Sequence, residues 1–362
     1  MRPHVFLIPG YLGFRGKQGY SGYWDTVAPI LTEHGFTCHS VMTEPVGIVA
    51  RRTRSLRNAI ITACGNDDDG SPIHLVGHSM GGLDARYLLS PSTSVRLPEP
   101  LRDRVRTVVS IATPHHGTPI AEFYQSLRAE DLLGFIGRVA ARWSTDDRLD
   151  QASRFIADHR RHIDRVLSKA GREEFARILQ GIVEADPDDY SELRAYLTSL
   201  ARYRGALRRL RIRYMARFND RVTDDPDMRY ISYVSGAEAV RVKDVGTWIY
   251  RLGTFIAGGV GKVALPPLPN GGVVSEDQVV SVFQGTGARG SLTLSPKLSD
   301  GVVPSASQFW GEFGGYVPLD HHAVIGRFDL LPTREPDLHE LYGRIASELL
   351  GTRGLPKPDD TP

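Results

Sequence analysis

The chain has 362 residues, more than one ordinary domain needs and enough for a large α/β unit carrying insertions. Hydrophobic residues make up 41% and charged residues 24%, which excludes collagen, coiled coil and wholesale disorder. The 44 basic and 42 acidic residues leave a net charge of +2, so nothing overall drives the chain toward nucleic acid.

The first 115 residues alternate between two periods. His4–Ile8 is a short apolar strand, stopped by Pro9-Gly10. Tyr23–His34 has helical spacing and ends at Gly35. Phe36–Met42 reads as a strand, Arg51–Cys64 as a helix, Ile73–Val76 as a buried strand and Met80–Leu89 as a helix. Val105–Ala112 is a further apolar strand. Strands separated by helices indicate βαβ units, hence a mostly parallel sheet covered on both faces. Residues 118–215 break the rhythm and look helical throughout, as a large insertion would. Strand pattern returns at Met228–Val234, and residues 236–297 are irregular, with a candidate strand at Val279–Phe283. Helical pattern resumes at Asp320–Leu330 and Glu335–Leu350, and the polar tail 351–362 is expected to be disordered. The expected organisation is therefore a core of 1–117 and 216–350. A helical cap, 118–215, and an irregular insertion, 236–297, interrupt it.

Two cysteines, Cys38 and Cys64, do not make a disulfide scaffold. Met1-Arg2-Pro3 leads straight into the first strand, so no secretory signal is read. The best apolar stretch, Val245–Gly261, has 17 residues, five glycines and a central Arg251, whereas a membrane span needs about 20 apolar residues. The expectation is a cytoplasmic chain without a transmembrane segment, although the mature form of a secreted protein would look the same.

The sharpest feature is Gly77-His78-Ser79-Met80-Gly81-Gly82. The pattern G-x-S-x-G is common by itself. Here it lies directly between a buried strand and a helix, the setting that a nucleophile elbow requires. Such a turn exposes the serine hydroxyl at the end of the sheet, beside a helix N-terminus that stabilises negative charge. A serine needs a base, and the base needs an orienting acid. His321, His322 and His339 are the histidines late enough in the chain to serve. Asp300, in Ser299-Asp300-Gly301, is the leading acid, ahead of Asp320, Glu312 and Asp329. The loop Pro9-Gly10-Tyr11-Leu12-Gly13 suits an oxyanion hole, with Tyr11 N–H and Met80 N–H as the donors.

These residues resemble the bacterial triacylglycerol lipase and carboxylesterase family of the α/β-hydrolase superfamily. The resemblance rests on Gly77–Tyr87, on Ile111–Thr118 with its Thr-Pro-His, on Ala216–Asn219 with Tyr230–Tyr233, on Ser299–Pro304 and on Asp320–Gly326. It implies an α/β-hydrolase fold and a serine hydrolase of carboxylic esters with hydrophobic acyl groups. It implies Ser79, Asp300 and His321 as the triad, favouring His321 over His322. Leu12, His78, His115, Phe123 and His322 are expected near substrate, and the insertion 118–215 is expected to act as a lid. The partners implied are an ester or lipid substrate and transient contact with a lipid interface. An acyltransferase or thioesterase with the same triad is the alternative, followed by a non-catalytic lipid-binding module. No cofactor is expected. Many relatives hold calcium through an Asp two residues after the histidine, where this chain has Ala323. His159 and His162 have helical metal-ligand spacing but are read as solvated surface residues, so no metal is expected.

Overall fold

In the computed structural model the described residues are 2–11, 22–44, 47–66, 70–118, 121, 145–166, 169–184, 207–236, 279–283, 289–293, 298–326 and 335–351. Six strands form one sheet: β1 (His4–Ile8), β2 (Thr37–Ser40), β3 (Ile73–His78), β4 (Val105–Ile111), β5 (Arg229–Ser235) and β8 (Glu312–Val317). Their spatial order is β2-β1-β3-β4-β5-β8, and every pairing is parallel. A separate antiparallel pair joins β6 (Val279–Phe283) to β7 (Arg289–Thr293).

Side-chain alternation splits each strand between two cores. Val5 and Leu7 of β1 face one layer, with α1 (Val27–Glu33) and the C-terminal helix Glu335–Gly351. Phe6 and Ile8 face the other, with α2 (Val49–Cys64) and α3 (Met80–Leu89). Leu56 and Ile60 of α2 and Leu88 of α3 pack there against Leu75 and Val108. Parallel strands demand both covers, and their nearly unbroken apolar sequences follow from it.

Most early elements lie where the periodicity puts them, with boundaries shifted by a few residues. Met80–Leu89 and Val279–Phe283 match the expectation at both ends. The first helix is shorter than expected, because Gly22–Thr26 forms turns before Val27. The helix expected over Asp320–Leu330 is, within the described residues, a single 3₁₀ turn at Ala323–Ile325. Gly326 closes it in the left-handed region at φ 66°. Strand β8 is absent from the sequence reading, because Gly314 and Gly315 weaken the strand signal. A Cβ on Gly314 would lie 2.6 Å from the Tyr233 ring, so packing on the neighbouring strand excludes a side chain there.

Of the insertion at 118–215, the described parts include two long helices, Thr145–Val166 and Lys169–Glu184, and the start of Ile212–Arg221. Leu12, Phe123, the segment Val245–Gly261 and the tail 352–362 lie outside the described residues. No described helix is long and apolar enough to cross a membrane. Cys38 and Cys64 are not joined by a disulfide.

Leu56 is fully buried between the sheet and α3. Leu56→Ala should lower stability by about 2–5 kcal/mol in urea unfolding, since the cavity adds to the lost transfer energy.

Candidate active site

Strand β3 ends at His78 and α3 begins at Met80, leaving Ser79 as the sole hinge. Ser79 has φ 53° and ψ −125°, a backbone state that L-residues seldom occupy. The surrounding structure imposes it. A Cβ on Gly77 would meet the Gly82 nitrogen at 2.4 Å, and one on Gly81 would meet the Ile8 carbonyl at 2.3 Å. Strand, helix and the β1 end are thus in backbone contact, and only glycine fits the two flanking positions.

His321 Nε2 lies 2.9 Å from Ser79 Oγ, and His321 Nδ1 lies 2.7 Å from Asp300 Oδ2. These three side chains come from residues separated by up to 242 positions and are nearly inaccessible to solvent. The His321 N–H also donates to the Asp300 carbonyl at 2.9 Å, which ties the two loops together by backbone. Asp300 is held from all sides. Its Oδ1 accepts the N–H groups of Val302 and Val303, at 2.9 and 2.6 Å. Its Oδ2 accepts from Ser235 Oγ at 3.0 Å and Gln308 Nε2 at 3.1 Å, besides His321. Gln308 in turn accepts the Ser235 N–H at 2.7 Å. Ser235 closes β5 and Gln308 closes a 3₁₀ turn at Ser305–Gln308, so the C-terminal end of the sheet helps to fix the acid.

His322 does not reach Ser79. Its ring meets His321 edge-on at 5.3 Å, and burial pushes its imidazole down to about 3, so it is neutral. Asp320 also stays out of the chain of contacts. Its Oδ1 caps the N–H groups of His322 and Ala323, at 2.8 and 2.9 Å, and burial lifts its carboxyl to about 7.

The loop after β1 lies against the serine. A Cβ on Gly10 would fall 2.8 Å from the Ser79 Cβ, so that position must stay bare. The Gly10 N–H donates to Tyr23 Oη at 2.9 Å, and the Tyr23 hydroxyl donates to His78 Nδ1 at 2.6 Å. His78 Nε2–H then donates to the His321 carbonyl at 2.7 Å. Burial drives the His78 imidazole well below its ordinary range, so it is neutral and can accept on one nitrogen and donate from the other. His78 therefore links the loop to the histidine segment from within the wall, where it is 1% exposed. The sequence reading had placed it near substrate. His115 is fully buried as well. It accepts from Arg86 at 3.3 Å, donates to Ser110 Oγ at 2.9 Å and stacks on Trp310.

Arg52 braces the same loop from behind. Fully buried on α2, it pairs with Asp84 of α3 at 2.8 Å and donates to the Pro9 carbonyl at 2.5 Å and the Glu44 carbonyl at 3.0 Å. Arg52, Tyr23, Ser235 and Gln308 carried no sequence signal, since nothing in their neighbourhoods distinguishes them from ordinary helix, turn or strand residues. Among the described residues, His4, His39 and Cys64 are one group with metal-ligand chemistry, and they lie away from this site. His159, read as a surface residue, bonds to the Phe155 carbonyl at 2.9 Å.

The profile of the PGAP1-like alpha/beta domain matches residues 41–179. Triacylglycerol lipases of Pseudarthrobacter phenanthrenivorans and Burkholderia plantarii are each 27% identical over 143 residues. That is 38% of this chain and 41% and 36% of theirs, so the match spans about two fifths of these relatives. Among solved structures, a metagenomic carboxyl esterase gives a TM-score of 0.53 at 17% identity, covering 96% of this chain and 76% of its own. Lipase 1 from Pelosinus fermentans gives 0.50 at 17% identity, covering 96% and 98%. With the all-parallel sheet, these likenesses establish the α/β-hydrolase fold.

Tyr23→Phe would strip partners from a buried amide and a buried imidazole, lowering stability by about 1–3 kcal/mol in urea unfolding. Acid should also weaken the fold. Burial keeps His78 and His115 well below 6.5, His116 near about 4 and His322 near about 3. The unfolded chain protonates these rings first, so their contribution is lost as pH falls through 6.5 toward 4. Asp84 and Asp320, lifted by burial to about 6 and about 7, act oppositely, because the folded state takes their protons first. The four histidines outweigh the two acids. The urea midpoint should therefore drop between about pH 7 and about pH 5, and a rise would contradict this balance.

Proposed function

We propose that this α/β-hydrolase-fold protein hydrolyses carboxylic esters of hydrophobic acyl groups through Ser79, His321 and Asp300. The observation that carries the reading is the unbroken contact from Ser79 Oγ through the His321 ring to the Asp300 carboxylate, with Ser79 at φ 53°. The likeness to triacylglycerol lipases and to a carboxyl esterase favours ester substrates over other acyl compounds.

Ser79 Oγ attacks the ester carbonyl while His321 Nε2 takes its proton. Asp300 stabilises the resulting imidazolium and holds the ring in the tautomer that leaves Nε2 free to accept. The N–H of Met80, first residue of α3, and the N–H of Tyr11 donate to the developing oxyanion. The alcohol leaves with the proton from His321. Water then attacks the acyl-enzyme by the same sequence in reverse, and the acid is released. The preferred acyl chain length is assigned to residues of the insertion 118–215.

Ser79→Ala should abolish hydrolysis of nitrophenyl esters while the melting curve stays that of a folded protein. His321→Ala should cost roughly 10³-fold or more in kcat, as removal of a general base does. His322→Ala should leave the reaction working. If only the His322 substitution silenced the enzyme, the base would be misassigned. A fluorophosphonate should label Ser79, and failure to label would remove the nucleophile from this reading.

A further inference from the structure

We infer that His4, His39 and Cys64 form a zinc-binding site at the end of the sheet remote from Ser79. The three donors come from three elements that the fold brings to one corner. His4 opens β1, His39 lies on β2 and Cys64 closes α2. Phe6 pairs with His39 across the sheet, so His39 shares a face with Phe6 and, by the two-residue repeat, with His4. That face is the one α2 covers, and Cys64 belongs to its core.

The geometry suits a metal. His4 Nδ1 and His39 Nε2 are 2.9 Å apart, and one ring nitrogen of each histidine and Cys64 Sγ all lie within 4.8 Å of one another. Ligand atoms around a tetrahedral zinc are about 3.3–3.6 Å apart, given bonds of about 2.0–2.3 Å, so only small side-chain shifts are needed. The His4 and His39 ring planes lie within 17° with their centroids 5.2 Å apart, and the Phe6 ring stacks on His39 at 4.6 Å. Arg104 donates to the Cys64 carbonyl at 3.3 Å and fixes the end of α2. Two imidazoles and a thiolate favour zinc over magnesium or calcium, and three protein ligands leave a fourth position for water. His39 is the half-exposed member, which supplies the entry path.

The proton balance is simple. Without metal, one proton lies between the two facing ring nitrogens. Zinc takes its place, that proton moves to the far nitrogen of the same ring, and the Cys64 thiol releases one proton to solvent. The site is about 20 Å from Ser79, since the His4 level pairs with Ile73, six residues before the serine at about 3.3 Å each. Its role is to clamp β1, β2 and α2.

The test uses the full chain, stripped with a chelator and reloaded with zinc or cobalt(II) alone, in a Cys38→Ser background. The expected result is one equivalent of zinc per chain, one proton released and a thiolate-to-cobalt charge-transfer band. Cys64→Ser should lose the band, and His39→Ala, whose side chain is half-exposed, should bind zinc at least about tenfold more weakly with an unchanged circular dichroism spectrum. Retention below about one tenth of an equivalent, or equal affinity in His39→Ala, would overturn the site. If Cys64→Ser fails to fold, the His39→Ala comparison decides.

Discussion

A single residue, Ser79, must turn the chain from strand β3 into helix α3, and the rest of the site is arranged around that turn. A non-glycine residue at φ 53° costs on the order of 1–3 kcal/mol, and it persists only where packing over-determines it. Here backbone meets backbone on each side of the serine. Gly77 abuts the first turn of α3, and Gly81 abuts the carbonyl of Ile8. Without those close approaches the serine would relax, and its hydroxyl would no longer face His321. The two apolar cores on either side of the sheet keep β1, β3 and α3 in place, so burial of ordinary aliphatic side chains is what maintains the strain.

Polar groups carry the geometry from that turn to its neighbours. Gly10, Tyr23, His78 and His321 form one directional run of hydrogen bonds, in which each donor and acceptor has a defined role. Arg52 does the same for the Pro9 carbonyl, and it does so in full burial beside Asp84. An unpaired charge there would cost several kcal/mol, so the pair holds α2, α3 and the loop in one arrangement rather than adding much net stability. Burial still dominates Asp84, whose carboxyl rises to about 6 despite the guanidinium. A second buried cation, Arg86, lies 3.3 Å over the Trp310 ring, donates to Asn219 and Asp224, and anchors His115. Both arginines stand outside the Ser79–His321–Asp300 contact, and both brace segments around it.

Much of the fold is legible in the sequence where one constraint acts alone. Apolar runs mark β1, β3 and β4, because parallel strands are buried on both faces, and strand pattern marks β5. Helix α3 is bounded correctly, since the elbow fixes its start and Ser90 its end. The reading fails where tertiary contact overrides local preference. Strand β8 is hidden by glycines that Tyr233 requires, and among the described residues the stretch from Asp320 to Gly326 makes one 3₁₀ turn although its pattern is helical. His78 and His115 read as pocket residues because polar residues in motifs suggest substrate contact. Burial and their hydrogen-bond partners instead make them wall-bracing groups.

The sequence by itself determined the residue types, their order along the chain and the strand–serine–helix turn, because steric and periodic rules act over a few neighbouring positions. It also singled out Asp300 and two adjacent histidines. The resemblance favoured His321 over His322, and the tertiary structure puts the His321 ring 2.9 Å from Ser79 Oγ while the His322 ring meets His321 edge-on. The tertiary structure alone brought Ser235 and Gln308 onto Asp300, Tyr23 onto His78, and Cys64 beside His4 and His39. Those meetings depend on strand order and layer packing, which join residues far apart in the chain and leave no local periodicity to read.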